Sequence, residues 1–169
     1  MTKNISLIGP MGAGKSSIGK RLAKQLKQPF FDSDRMIEKK TGVAISTIFE
    51  LEGEDGFRSR ESKALVELLE KDNAVIATGG GIVLAEENQK LLSEKSIIIY
   101  LKASVDTQVC RTKYDKKRPL LQTNDRHSTL QALAKKRNPL YESLANITID
   151  TNQQSIAKSI ELITNQLNR

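Results

Sequence analysis

Gly9-Pro-Met-Gly-Ala-Gly14-Lys15-Ser16 constrains the fold of this chain more than any other stretch. It satisfies the P-loop pattern in full: two glycines bracketing four residues, then lysine, then a hydroxyl. The residue types follow from the chemistry of holding phosphate. Glycine lets backbone N–H groups curl around phosphate oxygens, and a following helix turns its positive end toward them. Lys15 reaches the β- and γ-phosphates, and Ser16 is placed to hold Mg²⁺. Gly12, Ala13, Gly14, Lys15, Ser16 and Ser17 are therefore the candidate nucleotide-phosphate ligands. The motif also sits where it must, after the apolar run Ile5–Ile8 and before Ile18, Leu22 and Leu26 at helical spacing.

The rest of the chain continues this alternation of short apolar runs and amphipathic segments. That is the signature of βαβ units around a parallel sheet, an α/β fold with helices on both faces. Pro29–Phe31, Val75–Thr78, Ile97–Leu101 and Ile147–Ile149 read as further strands. Phe57, Ala64, Leu65 and Leu68 form a later helical stripe, as do Ile156, Ile160, Ile163 and Leu167. Ser128-Thr-Leu-Gln131 reads as a capping box opening a helix. Between them, residues 114–127 carry charges and Pro119 but no stripe, and the length suits a functional lid. No repeat or linker interrupts residues 1–169, which are expected to form one domain.

Composition removes several alternatives. With 38% apolar and 28% charged residues in 169, the chain suits a globular domain rather than a disordered one. Aromatics are 4% and Trp is absent, which disfavours a base-stacking surface. No apolar run approaches the length of a membrane span. A strand-like run follows closely on Met1, leaving no room for a signal peptide, so the cytoplasm is the expected compartment. Cys110 is the only cysteine, so no disulfide or cysteine metal cluster forms within the chain. The formal net charge of +7 suggests anionic partners, either nucleic acid or small anions. Clusters such as Lys39-Lys40 and Lys135-Lys136 also fit plain solvated helix faces.

A P-loop serves kinases, GTPases and motors alike. The chain lacks the Asn-Lys-x-Asp form of the guanine motif, Thr112-Lys113-Tyr114-Asp115 matches only its threonine variant and follows no strand-like run, and the chain is small for a motor. The apolar strand Ala74–Thr78 runs into Gly79-Gly80-Gly81 instead of ending in a metal-holding aspartate. The second metal carboxylate then has to come from Asp32-Ser-Asp34. On a bend between strand and helix, one of these carboxylates can face Mg²⁺ and the other a substrate hydroxyl. Asp34 equally suits the N-cap of a helix beginning Arg35-Met-Ile. Gly79, Gly80 and Gly81 follow a strand, at the carboxyl edge where ligands of open α/β sheets bind. Arginine grips a carboxylate bidentately where lysine acts as a point charge. Arg58 lies near a helix start, Arg118 within the proposed lid, and Arg137 before Asn138-Pro139, a helix-stop signal. These features describe a small-molecule kinase with an anionic acceptor.

The same residues, taken in order, resemble the shikimate kinase family over essentially the whole chain. The likeness rests on the motif at 9–16, Asp32-Ser-Asp34, Gly56-Phe57-Arg58 and Gly79-Gly80-Gly81. Lys117-Arg118-Pro119-Leu120-Leu121 and Arg137-Asn-Pro-Leu-Tyr141 complete the set, with no departure at these positions. The resemblance implies a three-layer α/β/α P-loop fold, with a five-stranded parallel sheet in the order 2-3-1-4-5 and a mobile lid. It implies transfer from ATP, with Mg²⁺, to the 3-hydroxyl of shikimate on the route to chorismate and the aromatic amino acids. By the same likeness Asp34 binds ring hydroxyls and is the candidate base. Arg58 and Arg137 hold the substrate carboxylate, and Gly80 lines that pocket. Arg118 contacts the ATP phosphates, and Asp32 holds Mg²⁺ with Ser16. Arg111 and Gln154 lie near the adenine. The expected state is a monomer binding neither nucleic acid nor membrane. Two other readings remain: a kinase of another polyhydroxy acid such as gluconate, or an ATP-gated nucleic-acid- or protein-binding module.

Overall fold

The structure, a computed structural model, describes residues 3–169. Its centre is strand β1 (Asn4–Ile8), flanked on one side by β3 (Val75–Ala77) and on the other by β4 (Ser96–Lys102). Strands β2 (Phe30–Asp32) and β5 (Ile147–Asp150) form the edges, and every pairing is parallel, in the order 2-3-1-4-5. All five residues of β1 are buried, because a central parallel strand is covered on both faces. The second strand begins one residue later than its apolar run suggests, with Pro29 confined to the approach.

Helices cover the two faces and produce two cores. On one, α1 (Lys15–Leu26) and α7 (Ile156–Leu167) press Leu22, Ile160 and Ile163 onto Leu7, Ile99 and Leu101. On the other, α3 (Ile45–Leu69), α4 (Glu86–Lys95) and α6 (Arg126–Leu144) bring Leu65, Leu68, Leu92 and Tyr141 against Ile76, Ile98 and Tyr100. Two shorter helices, α2 (Ser33–Thr41) and α5 (Val105–Arg111), stand near the carboxyl edge. No helix among the described residues is long and apolar enough to cross a membrane.

Three local readings need correction. The helix after the proposed lid opens three residues before Ser128, at an Asp125 N-cap whose carboxylate accepts from the Ser128 N–H. Ser128 thus lies inside the first turn, and the capping box is absent because a stronger acidic cap precedes it. Arg137 is not at a helix end: α6 continues through Pro139 to Leu144. Leu130, Arg137 and Tyr141 recur on one buried face, and that packing outweighs the local preference of the residue before proline. In α3, the break occurs at Gly53, with φ 72 and ψ −177, so Arg58 lies early in its second segment. Residues 114–127 are not wholly irregular either, containing a 3₁₀ turn at Pro119–Leu121 and the first residues of α6.

Candidate active site

The loop between β1 and α1 is held open by glycine. Gly14 caps α1 with φ 92, a conformation that turns the following N–H groups outward at no side-chain cost. Lys15 Nζ donates to Gly9 O at 2.7 Å and to Pro10 O at 2.8 Å, curling the lysine over the loop. Burial, and next the nearby Arg118 guanidinium, press its pKa down to about 7. Ala13 is buried and belongs to the core cluster that holds Leu22 and Leu101.

Asp32 ends β2 and serves α2 as its N-cap. Its Oδ1 accepts from the N–H groups of Asp34 and Arg35 at 3.0 and 3.3 Å, while Oδ2 receives the Ser16 hydroxyl at 2.6 Å. Capping by Asp32 rather than Asp34 frees the second carboxylate. Asp34 Oδ1 is buried with no hydrogen-bond partner among the described residues. Burial, and secondarily the charge of Asp32, raise its pKa, with Arg118, Lys15 and Arg58 opposing.

Two cavities meet here. One of about 300 Å³ lies over the phosphate loop and is lined by Gly12, Gly14, Lys15, Ser16, Ser17 and Arg111. The other, of about 590 Å³, is lined by Arg58, Glu61, Gly81 and Arg137, with Phe49 and Phe57 giving it an apolar wall. Ser16, Asp32, Asp34, Gly79, Gly80 and Arg118 line both and form the common wall. Phosphate in the first cavity and a hydroxyl in the second would meet at that wall.

The glycine turn is shaped by what surrounds it. A side chain on Gly79 would start 2.5 Å from Glu61 Oε2 and 3.2 Å from Asp34 Oδ1, and one on Gly81 would run into the Arg58 guanidinium. Arg58 donates to Glu61 at 2.9 Å and to Glu54 at 3.2 Å. Arg137 is 4% exposed and makes no ion pair among the described residues. Such a buried cation is unfavourable until an anion reaches it. Arg118 Nε donates to Asp115 at 2.8 Å, keeping this arginine at the shared wall.

Two predicted residues are less central. Arg111 donates to Gly12 O at 3.0 Å and to Thr151 O at 2.5 Å, bracing the loop at the edge of the cavity it helps to line. Gln154 lies between β5 and α7, outside both cavity linings, with Oε1 buried and unpartnered. Glu61 and Tyr141 escaped the sequence reading as separate site residues. The Arg58-x-x-Glu61 and Arg137-x-x-x-Tyr141 spacings, each one helical turn, were the available signals.

A parallel 2-3-1-4-5 sheet with a phosphate loop after its first strand, opening into a second cavity at the carboxyl edge, defines a P-loop kinase. The family model for shikimate kinase matches residues 11–168. The shikimate kinase of Actinobacillus pleuropneumoniae serotype 5b is 54% identical over 167 residues, covering 96% of each chain. Shikimate kinase 1 of Yersinia pestis is 50% identical, covering 98% of this chain and 96% of its own. The structure of Acinetobacter baumannii shikimate kinase in complex with shikimate aligns with a TM-score of 0.97 at 44% identity, covering 99% and 94% of the two chains. The chain belongs to the shikimate kinase family, whose members are ATP-dependent phosphotransferases.

Proposed function

We propose that this chain transfers the γ-phosphate of ATP to the 3-hydroxyl of shikimate as a monomer in the cytoplasm, without nucleic acid. The observation that carries the reading is Arg137, a buried guanidinium lacking a counter-ion on the wall of a cavity that adjoins the phosphate loop. A carboxylated acceptor supplies the missing charge, and Arg58 grips it from the other side. Asp34, unpartnered and biased toward its protonated form, orients the acceptor hydroxyl and takes its proton as the phosphoryl group arrives. The backbone of Gly79, Gly80 and Gly81 closes on the ring.

On the nucleotide side, the N–H groups of Gly12, Ala13, Gly14, Lys15, Ser16 and Ser17 hold the phosphates. Lys15 and the lid residue Arg118 meet the charge that spreads during transfer. Arg111 and Gln154 flank the adenine; the anchoring of Arg111 on Thr151, close to Gln154 in the chain, supports that position. The residues present fit Mg²⁺. Ser16 Oγ and Asp32 Oδ2 are adjacent hard oxygens, and no cluster of three or more His, Cys, Asp or Glu side chains forms a cage among the described residues. Mg²⁺ ordinarily takes one or two protein ligands and fills the rest with water and phosphate oxygens. When bound, it neutralises charge on the β- and γ-phosphates. The lid is residues 114–127 of a single domain, 1–169.

A coupled ADP-release assay over shikimate, gluconate and related hydroxy acids tests the acceptor. Turnover with gluconate and none with shikimate would overturn the proposal. Replacing Arg137 by alanine is expected to weaken acceptor binding roughly 10- to 150-fold, the worth of about 1.5–3 kcal/mol for a charge-assisted contact. The KM for ATP is expected to change little. Lysine at 137 recovers only part of the loss, because it cannot form the bidentate fork. An acceptor analogue with an amide for its carboxylate should bind wild type poorly but lose much less against Arg137→Ala. Equal losses against both proteins would place the carboxylate elsewhere.

A further inference from the structure

We infer that Tyr141 is a positioning residue of the acceptor pocket, its hydroxyl locking the Gly80 peptide and the Arg137 guanidinium into one arrangement. The inference rests on the acceptor site proposed above. Tyr141 is completely buried, and its hydroxyl donates to Gly80 O at 2.5 Å, across a sequence separation that joins α6 to the glycine turn. Arg137 precedes it by one helical turn, so the two side chains share a face of α6. Both also converge on the same point of the turn. A Cβ on Gly80 would lie 3.3 Å from Arg137 Nη1 and 3.5 Å from Tyr141 Oη. The ring itself is clamped, stacked on Tyr100 with centroids 5.1 Å apart and planes tilted by 30°. A rigid, buried phenol is a precise device for holding a carbonyl, since neither ring has room to re-orient.

The consequence is specific to the acceptor. Without the hydroxyl, Gly80 O loses its donor and the peptide that lines the pocket is free to rotate. Arg137 loses the neighbour that limits its swing. The phosphate loop, anchored through Lys15 and Arg111, has no bond to Tyr141.

Tyr141→Phe keeps the ring and removes only the hydroxyl. The KM for shikimate is expected to rise roughly 3- to 10-fold, the scale of one buried hydrogen bond, with the KM for ATP unchanged. Tyr100→Phe, which removes the hydroxyl of the other stacked ring and spares Gly80, is expected to leave both constants unchanged. Assays at 15 °C, with thermal melts of each variant, keep the comparison among folded proteins. In an Arg137→Ala background, Tyr141→Phe is expected to cost less than in wild type, since one of the two groups it steadies is gone. A lowered Tm with an unchanged shikimate KM would overturn the inference and leave Tyr141 as core. So would the same fold-loss with and without Arg137. Failure of wild type to use shikimate would instead overturn the proposed function.

Discussion

Lys15→Met is expected to lower kcat by at least roughly 10²- to 10³-fold while the protein still melts cooperatively at close to the wild-type temperature. The side chain bonds only backbone carbonyls of its own loop, so no core contact depends on its charge. In the transfer proposed here, the ammonium leaves Gly9 O and Pro10 O for phosphate oxygens, where it stabilises charge as it develops. Removing one preorganised donor of this type costs roughly 10²- to 10³-fold in kcat. A buried amine with its pKa near 7 adds a signature that methionine erases. Phosphate beside it raises the pKa, so nucleotide binding takes up a proton at pH 8. ATP affinity should then fall as pH rises from about 7 to 9. Calorimetry in two buffers of different ionisation enthalpy measures this uptake. Turnover by Lys15→Met at the wild-type rate would remove the phosphate loop from the mechanism.

Asp34→Asn is expected to lower kcat roughly 10²-fold or more, the scale of losing a general base, with ATP binding nearly unchanged. The substitution preserves shape, and Asp34 Oδ1 has no partner to lose. Its raised pKa has a readable consequence: the acid limb of the kcat/KM profile should lie above the ordinary aspartate range. Below that limb Asp34 holds its proton and cannot accept another. Asp32→Asn should behave differently, raising the Mg²⁺ requirement because Ser16 loses its charged partner. A Mg²⁺ titration in which the two variants coincide would refute this division between the carboxylates.

The parts legible from sequence were those whose cause is local. The glycine pattern of the phosphate loop, the alternating strand runs and the α7 stripe each express a short-range requirement, and the observed sheet matches them. The parts that were not legible depend on distant partners. Nothing near Pro139 announces that α6 continues, because its stability comes from packing Leu130 and Tyr141 onto another layer. The Ser128 capping signal was genuine chemistry in the wrong place, overtaken by Asp125 just upstream. Glu61 looks like any helical glutamate until the fold buries it against Arg58. For the Asp32–Asp34 pair, both carboxylates were legible, but which one capped the helix required the position of Ser16.

The double duty of Asp32 makes the two half-sites mechanically interdependent. One oxygen fastens the start of α2, including the Asp34 backbone, and the other answers to Ser16 at the mouth of the nucleotide cleft. A ligand that draws Oδ2 toward itself is therefore expected to shift the backbone that carries Asp34, the proposed acceptor-side carboxylate. Whichever substrate arrives first is then expected to supply part of the ordering that the second requires. By thermodynamic reciprocity, any factor by which ATP changes the affinity for shikimate is the factor by which shikimate changes the affinity for ATP. A single carboxylate at a strand end is thus expected to couple two ligands whose cavities already meet along one wall.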